Sequence, residues 1–280
     1  MTGLAPLLKW PGGKARLAER IAARFPAGPC PGKLLEAFTG SGALFLHLAD
    51  RVSAAVLADA NAGLVNFHQV VRDAPGDLLA ELEAFPHGED WRASYYQVRQ
   101  AYNDGPRVGP RQAARLLFLN RTAFNGLYRE NARGGMNAPA GDYLAPSYPT
   151  VGHVLAVSAV LELAEIRVAD FRETLALAGA GDWSYVDPPY DPWTASANFT
   201  GYAAGGFGLE DQEALAVACL EASTRGASVV ASNHGTPRMV TLWAELGYGA
   251  ELFPIKRSIG CTAASRAAVA TELLAWSPPG

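Results

Sequence analysis

The stretch SYVDPPYD, residues 184–191, places an acid, two prolines and an aromatic ring in one short run. Proline neither extends a helix nor donates to a central sheet ladder, so a strand ending in this way must leave its sheet at once. A plain turn accounts for Pro188 and Pro189 but not for Asp187 and Tyr190 on either side of them. The proline pair has both φ angles fixed and no N–H to compete for the acid, while the Pro188 carbonyl stays available. Asp187 and that carbonyl are two acceptors in one rigid geometry, matched to the two N–H groups of an exocyclic aromatic amine. Such a nitrogen is a poor nucleophile because its lone pair is delocalised into the ring. Held by two acceptors, it becomes more tetrahedral and aims the lone pair at a methyl group on a sulfonium, which is catalysis by position and electrostatics, without metal or covalent intermediate. Tyr190 offers a flat face for the ring to stack on.

A second site lies earlier in the chain. LLEAFTGSGALFLHL, residues 34–48, reads as a strand, a glycine turn and an amphipathic helix, in which Gly40 and Gly42 let a ligand approach backbone amides. A GxG turn is often only structural. Asp59 strengthens the ligand reading, because it ends the next strand 19 residues after Gly40, where a carboxylate takes hydrogen bonds from ribose hydroxyls. A dinucleotide fold wants a third glycine where Phe45 stands, so a nucleoside without pyrophosphate, such as S-adenosylmethionine, fits better. LKWPGGK, residues 8–14, fails the phosphate-loop pattern because Ala15 follows the lysine. It is either a turn with an exposed lysine, or Lys14 meets a ligand carboxylate and Trp10 forms an apolar wall.

The elements that must position these residues follow from apolar runs. Residues 33–38, 54–58, 165–169, 183–187, 227–232 and 270–276 read as buried strands. Between the runs at 183–187 and 227–232, residues 209–225 carry acids in the first turn, Arg225 at the end and Gly226 beyond, the charge and stop pattern of a helix. This alternation predicts an α/β, Rossmann-like doubly wound sheet covered on both faces. It breaks between residues 61 and 164, where helical stretches 90–103 and 109–119 surround a Gly/Asn-rich section. The expected organisation is a catalytic domain from residues 1–60 and 165–280, with 61–164 inserted.

At 280 residues and 49% hydrophobic content the chain can bury a sizeable core, and its net charge of −4 does not suggest a nucleic-acid binder. Locally the balance reverses: from Arg99 to Arg133 seven arginines face two acids, a net of +5. Cys30, Cys219 and Cys261 show no metal or disulfide spacing, no metal is called for, and no run of about 18 apolar residues suggests a membrane span. A soluble, intracellular protein with reduced thiols is expected. Asn125-Gly126, within the basic stretch, is a strong tight-turn pair, expected at the tip of a β-hairpin able to enter a major groove.

KWPGGK, FTGSG, LAD, LNRTAFNGLYRENARGGMN, DPPY, SANFTGY, SNHGT and KRS occur in this order over residues 9–258. Together they resemble the Dam-type, D12 class DNA adenine-N6 methyltransferases over nearly the whole chain. The resemblance implies methyl transfer from S-adenosylmethionine to a flipped adenine in double-stranded DNA, usually at GATC, by a cytoplasmic monomer, bacterial or phage-encoded, with a mainly helical insertion for target recognition. It implies catalytic roles for Asp187, Pro188, Pro189 and Tyr190. Trp10, Lys14, Phe38, Gly40, Gly42, Asp59, Asp170, Phe171 and Asp187 would hold the cofactor, with Asp170 and Phe171 at its adenine. On the DNA side, Arg129 would read guanine, Phe124 fill the gap in the stack, Leu127 and Pro139 touch a thymine methyl, and Lys9 read a flanking guanine. Arg121, Asn125, Asn131 and Arg133 would complete that surface, although arginines contact phosphate more often than bases. Asn233 and His234 either line the target pocket or cap a strand. Thr122-Ala123 departs from the bulkier residues usual in the family.

Three other readings remain open. An RNA adenine methyltransferase shares the crevice but has little use for a hairpin, because the A-form major groove is too narrow to read. Phe45 counts against a nicotinamide-dependent dehydrogenase, and the full set of crevice residues counts against a non-catalytic DNA-binding regulator.

Overall fold

The computed structural model describes residues 4–10, 12–86, 91–131, 133–190, 207–256 and 269–278. Its centre is a seven-stranded sheet, formed by β1 (Leu34–Glu36), β2 (Ala55–Asp59), β3 (Ala164–Val168), β4 (Trp183–Val186), β5 (Ser228–His234), β6 (Gly249–Lys256) and β7 (Val269–Trp276). The spatial order is β3-β2-β1-β4-β5-β7-β6. The first five strands pair in parallel, and β7 runs antiparallel between β5 and β6. The inner strands β1 and β4 are buried throughout, as a sheet covered on both faces requires.

Chain order reverses around β1: the next strand in sequence lies on one side and β4 on the other, with Leu34 beside both Ala55 and Trp183. The carboxyl ends of β1 and β4 therefore open side by side at a topological switch point, where doubly wound sheets bind ligands. This is the Rossmann-like arrangement expected from the apolar runs, and all six expected strands are present. The seventh, β6, was not expected, because Pro254 interrupts its pattern. It is an edge strand, where proline is tolerated.

Between β2 and β3 the chain forms α3 (Ala62–Asp73), α4 (Pro75–Glu83), α5 (Trp91–Asp104), α6 (Pro110–Thr122) and, after an irregular stretch, α7 (Val151–Leu161); the short α1 (Ala18–Ala22) and α2 (Ala43–His47) precede them. Asn61 caps α3 by accepting the Leu64 N–H at 3.0 Å, and Pro75 and Pro110 start α4 and α6, where a missing N–H costs nothing. Ala113, Ala114 and Leu116–Leu119 are all buried, so α6 is the apolar axis of this region. One apolar cluster joins it to the sheet, running from Leu116 and Phe118 through Phe67 and Val70 of α3 to Leu57 and Leu34.

The Asn125-Gly126 pair does form a tight turn: Asn125 has φ +53°, Gly126 φ +68°, and the Leu127 N–H donates to the Phe124 carbonyl at 3.0 Å. The turn is not, however, the tip of a hairpin. The antiparallel contacts run from Phe124 N–H to the Pro139 carbonyl (3.0 Å) and from Asn137 N–H to the Arg129 carbonyl (2.9 Å). Partners spaced in this way put the reversal midway, close to Gly134, which has φ +75°. Asn125-Gly126 is a bulge on one arm, pressed on the N-terminal segment so closely that a Cβ on Gly126 would lie 2.7 Å from Lys9 Cβ.

The remaining helices are α8 (Phe171–Leu175), α9 (Leu209–Thr224) and α10 (Pro237–Glu245). α9 matches the expected span, and the Asp211 carboxylate accepts the Gly208 N–H at 3.0 Å at its start. Among the described residues, no helix is long and apolar enough to cross a membrane.

Candidate active site

Asp187 steps out of β4 beside the end of β1, because Glu36 is in register with Tyr185. Lys14 reaches it from the N-terminal segment. The ammonium lies 2.7 Å and 2.8 Å from the two Asp187 oxygens and donates to the Gly12 carbonyl at 2.7 Å. Burial holds the Asp187 carboxyl above the usual aspartate value, and Lys14 pulls it back down. The proline pair is fixed from outside, since the Gln212 side-chain amide donates to the Pro189 carbonyl at 2.8 Å and in turn accepts from Asn233 at 2.9 Å. Tyr190 lies with its ring centre 4.8 Å from Lys14 Nζ and 4.8 Å from the His234 ring, and its hydroxyl donates to Glu272.

Two further acids underlie this group. Burial pushes Glu36 up to about 8, with the charge of Asp187 adding to the effect. Burial likewise pushes Glu272 up to about 7, against Lys14 and the Tyr190 hydroxyl.

On the other side of the crevice, Gly40 and Gly42 take φ +52° and +70°, which turns the loop after β1 back on itself. The Asp59 carboxylate, at the end of β2, accepts the Gly40 N–H at 3.1 Å and the Asn61 N–H at 2.9 Å. Phe38, Phe171 and Phe207 meet as an aromatic trio with ring centres 5.8 Å apart. Asp170 caps α8 through the Arg172 N–H at 2.8 Å. Trp10 packs on the loop and stacks on Tyr128 at 4.9 Å. All nine residues expected at a cofactor thus lie around the mouth formed by β1, β2, β3 and β4.

The expected DNA-side residues come from the N-terminal segment (Lys9), the last turn of α6 (Arg121) and the irregular stretch between Phe124 and Pro139, and they are held in different ways. Arg133, Asn131, Pro139 and Lys9 are exposed, whereas Phe124, Asn125, Leu127, Arg129 and Arg121 are half-buried. Arg129 donates to Asn137 Oδ1 at 2.7 Å, and Asn131 accepts the N–H groups of Arg133 and Gly135 at 2.9 and 3.1 Å. The Arg121 guanidinium is spent on the Leu7 carbonyl, while Asn120 bonds both the N–H and the carbonyl of Lys9.

The +5 balance overstates the surface charge available. Arg99 and Arg107 donate to the carbonyls of Ala138 and Gly134, because an irregular chain leaves carbonyls without ladder partners that side chains must satisfy, and Arg115 donates to the Ala101 carbonyl in the last turn of α5. Arg111 points outward from α6, 3.8 Å from Glu81.

Sequence reasoning missed Glu272, Gln212, Phe207 and Glu36. A lone acid inside the apolar run ATELLAW was the available sign for Glu272. A glutamine near a helix start, as at Gln212, carries none.

Residues 10–256 match the family described as D12 class N6 adenine-specific DNA methyltransferase. The chain is 37% identical over 276 residues to the DNA adenine methylase of Vibrio cholerae, covering 97% of this chain and 95% of that protein. It is 34% identical to the DNA adenine methylase of Escherichia coli K12, covering 98% of this chain and 95% of that one. With the DNA N-6-adenine-methyltransferase of Escherichia phage P1 it shares 32% identity over 93% of its own length but 34% of that longer protein. The crevice at the switch point and these matches lead to one conclusion: the chain belongs to the D12 class of N6 adenine-specific DNA methyltransferases.

Proposed function

We propose that the protein transfers the methyl group of S-adenosylmethionine to N6 of adenine in double-stranded DNA, at GATC, after rotating the target base out of the helix. The supporting observation is the placement of Asp187 and its rigid proline pair at the switch point, between the Gly40–Gly42 loop on one side and Tyr190 on the other.

The residues present fit the cofactor. Asp59 ends β2 with its carboxylate beside a loop free of side chains at Gly40 and Gly42, and the Phe38–Phe171–Phe207 trio makes an apolar wall for a purine. When bound, S-adenosylmethionine supplies an electrophilic methyl group on a sulfonium. Asp59 takes the ribose hydroxyls, Phe38 and Phe171 cover the adenine with Asp170 at its edge, and Trp10 lines the methionine end. Asp187 and the Pro188 carbonyl accept the two N–H groups of the target amine and keep its lone pair directed, while Gln212 prevents the proline pair from relaxing. Tyr190 stacks on the extruded base.

Unstacking costs a few kcal/mol, which DNA contacts must offset. Residues 61–164 act as the target-recognition region, with 1–60 and 165–280 as the catalytic domain. Arg129 reads guanine, Phe124 fills the gap, and Leu127 and Pro139 meet thymine. Lys9, Asn125, Asn131 and Arg133 contact the flanks and backbone, and Arg121 holds the N-terminal segment beneath them. The enzyme works as a monomer in the cytoplasm.

The test is to express the protein in a methylation-free host and map modified adenines. The expected result is N6-methyladenine confined to GATC. Purified protein should also transfer labelled methyl to duplex GATC DNA in preference to structured RNA, and preference for RNA would overturn the proposal.

A further inference from the structure

Behind Asp187 lies an acid that the chemistry above leaves without a task. Glu272 comes from β7 and is 1% exposed. Its Oε1 accepts the Tyr190 hydroxyl and lies 3.9 Å from Lys14 Nζ, while its Oε2 has no hydrogen-bond partner among the described residues. A buried carboxylate oxygen without a donor is costly, and its presence calls for an explanation.

Lys14 supplies one. Its ammonium sits on both oxygens of Asp187, the same oxygens that must accept an amine N–H, and it draws off their electron density. The lysine is itself buried, so it cannot move into water when the amine arrives, and an unpaired ammonium in this position would be strongly unfavourable. A shift of about 1 Å toward β7 brings Nζ into hydrogen-bond range of Glu272.

Resting on the Asp187 mechanism proposed above, we propose that Glu272 is a positioning residue. Oε1 fixes the orientation of the Tyr190 ring, and the Glu272 carboxylate, whose Oε1 is already 3.9 Å from Nζ and whose Oε2 has no hydrogen-bond partner among the described residues, receives the Lys14 ammonium when the target amine takes its place on Asp187. No covalent bond changes and no proton leaves the lysine: one ammonium passes between two carboxylates while one neutral N–H replaces it on Asp187. The ring is also held by Lys14 above its face and by a T-shaped contact with His234, so the same lysine senses both the acid and the stacking platform.

Among the described residues, the charged and titratable groups around Glu272 are Lys14 from the N-terminal segment, Asp187 and Tyr190 after β4, and Tyr185 within β4, with Glu36 on β1 and His234 on β5 beyond them. Receiving the ammonium requires ionised Glu272, whose carboxyl burial holds near 7. The handover therefore strengthens as pH rises through that value and fails below it.

The test uses the full-length protein, its Glu272→Gln and Tyr190→Phe variants, and duplex GATC DNA. For wild type, kcat should fall about tenfold per pH unit below an inflexion near 7. Glu272→Gln should lose the inflexion and run at least about tenfold below the wild-type plateau, with KM for DNA within about twofold. Tyr190→Phe, which loses a hydrogen bond that lowers the Glu272 value, should keep an inflexion displaced to higher pH.

A readout independent of turnover is the Glu272 carboxyl carbon in 13C-glutamate-labelled protein, identified as the signal missing in Glu272→Gln. Its titration should move down by about one pKa unit or more when duplex and S-adenosylhomocysteine bind, because the cation has come closer. A Glu272→Gln enzyme that keeps both the rate and the inflexion, or a carboxyl titration unchanged on binding, would overturn the handover. A wild-type protein that moves no methyl group would instead sink the proposed reaction, and the carboxyl titration decides the handover separately.

Discussion

Replacing Gly40 by alanine puts a methyl group where the loop after β1 has no room for one. The residue has φ +52°, in the left-handed region where an L side chain costs roughly 1–2 kcal/mol. An added Cβ would also lie 2.9 Å from Trp10 Cδ1 and 3.4 Å from its Nε1. Trp10 cannot yield freely, because its ring stacks on Tyr128 at 4.9 Å, a contact worth about 0.5–1.5 kcal/mol. The expected loss is about 2–3 kcal/mol in all.

Gly42→Ala provides the internal comparison. Its φ of +70° carries the same backbone strain, but the nearest atom to an added Cβ is His68 Cε1 at 3.8 Å, an ordinary contact. Urea denaturation should therefore show Gly42→Ala losing roughly 1–2 kcal/mol and Gly40→Ala about 1 kcal/mol more, with unchanged slopes. Because Trp10 is proposed to line the methionine end of the ligand, calorimetry with S-adenosylhomocysteine should find Gly40→Ala weaker by about tenfold, the equivalent of 1.4 kcal/mol. Equal destabilisation by the two substitutions, or undiminished affinity in Gly40→Ala, would refute the reasoning.

Glu36 gives a stability prediction with a definite sign. Its folded value near 8 lies above the ordinary 4.5, so the folded chain keeps a proton that the unfolded chain loses. Its contribution is fully present below pH 4.5 and is lost as pH rises toward 8, by up to about 5 kcal/mol at about 1.4 kcal/mol per pKa unit. Glu36→Gln should flatten that decline in urea melts taken across this window, and an unchanged pH dependence would contradict the assignment. Arg133 and Arg99 should separate surface charge from structural ties. Arg133→Ala should lower the slope of log affinity against log salt by about 1 in anisotropy titrations with duplex DNA, leaving stability within about 0.5 kcal/mol. Arg99→Ala, which loses the Ala138 carbonyl bond, should cost about 1–2 kcal/mol of stability with the salt slope unchanged.

Much of this was legible in the residues themselves. Uninterrupted apolar runs such as AAVLA and SYV place buried parallel strands, and acids or glycines directly after them mark the carboxyl edge where Asp59 and Asp187 stand. The parts that were not legible depend on partners distant in sequence. β6 is masked by Pro254, which only an edge position permits. Asn125-Gly126 encodes the backbone of a turn but not which strands pair around it, and that pairing is set by contacts such as Phe124 with Pro139. Arginine count does not reveal how many guanidinium groups the carbonyls of loops and helix ends will engage, and Arg99, Arg107 and Arg115 are engaged in this way. Glu272 and Gln212 join the site only because β7 folds back beside β5, one strand away from β4, and α9 returns to the exit of β4, which no local pattern around them indicates.

The most direct test of the central claim is single-turnover methyl transfer by Asp187→Asn. The substitution keeps the shape of the side chain while removing the charge that draws an N–H of the target amine. With duplex GATC DNA and S-adenosylmethionine both saturating, the rate should fall by at least about 100-fold while DNA affinity stays within about threefold. Transfer at the wild-type rate would show that Asp187 does not prepare the amine, and the assignment of the crevice chemistry would have to be abandoned.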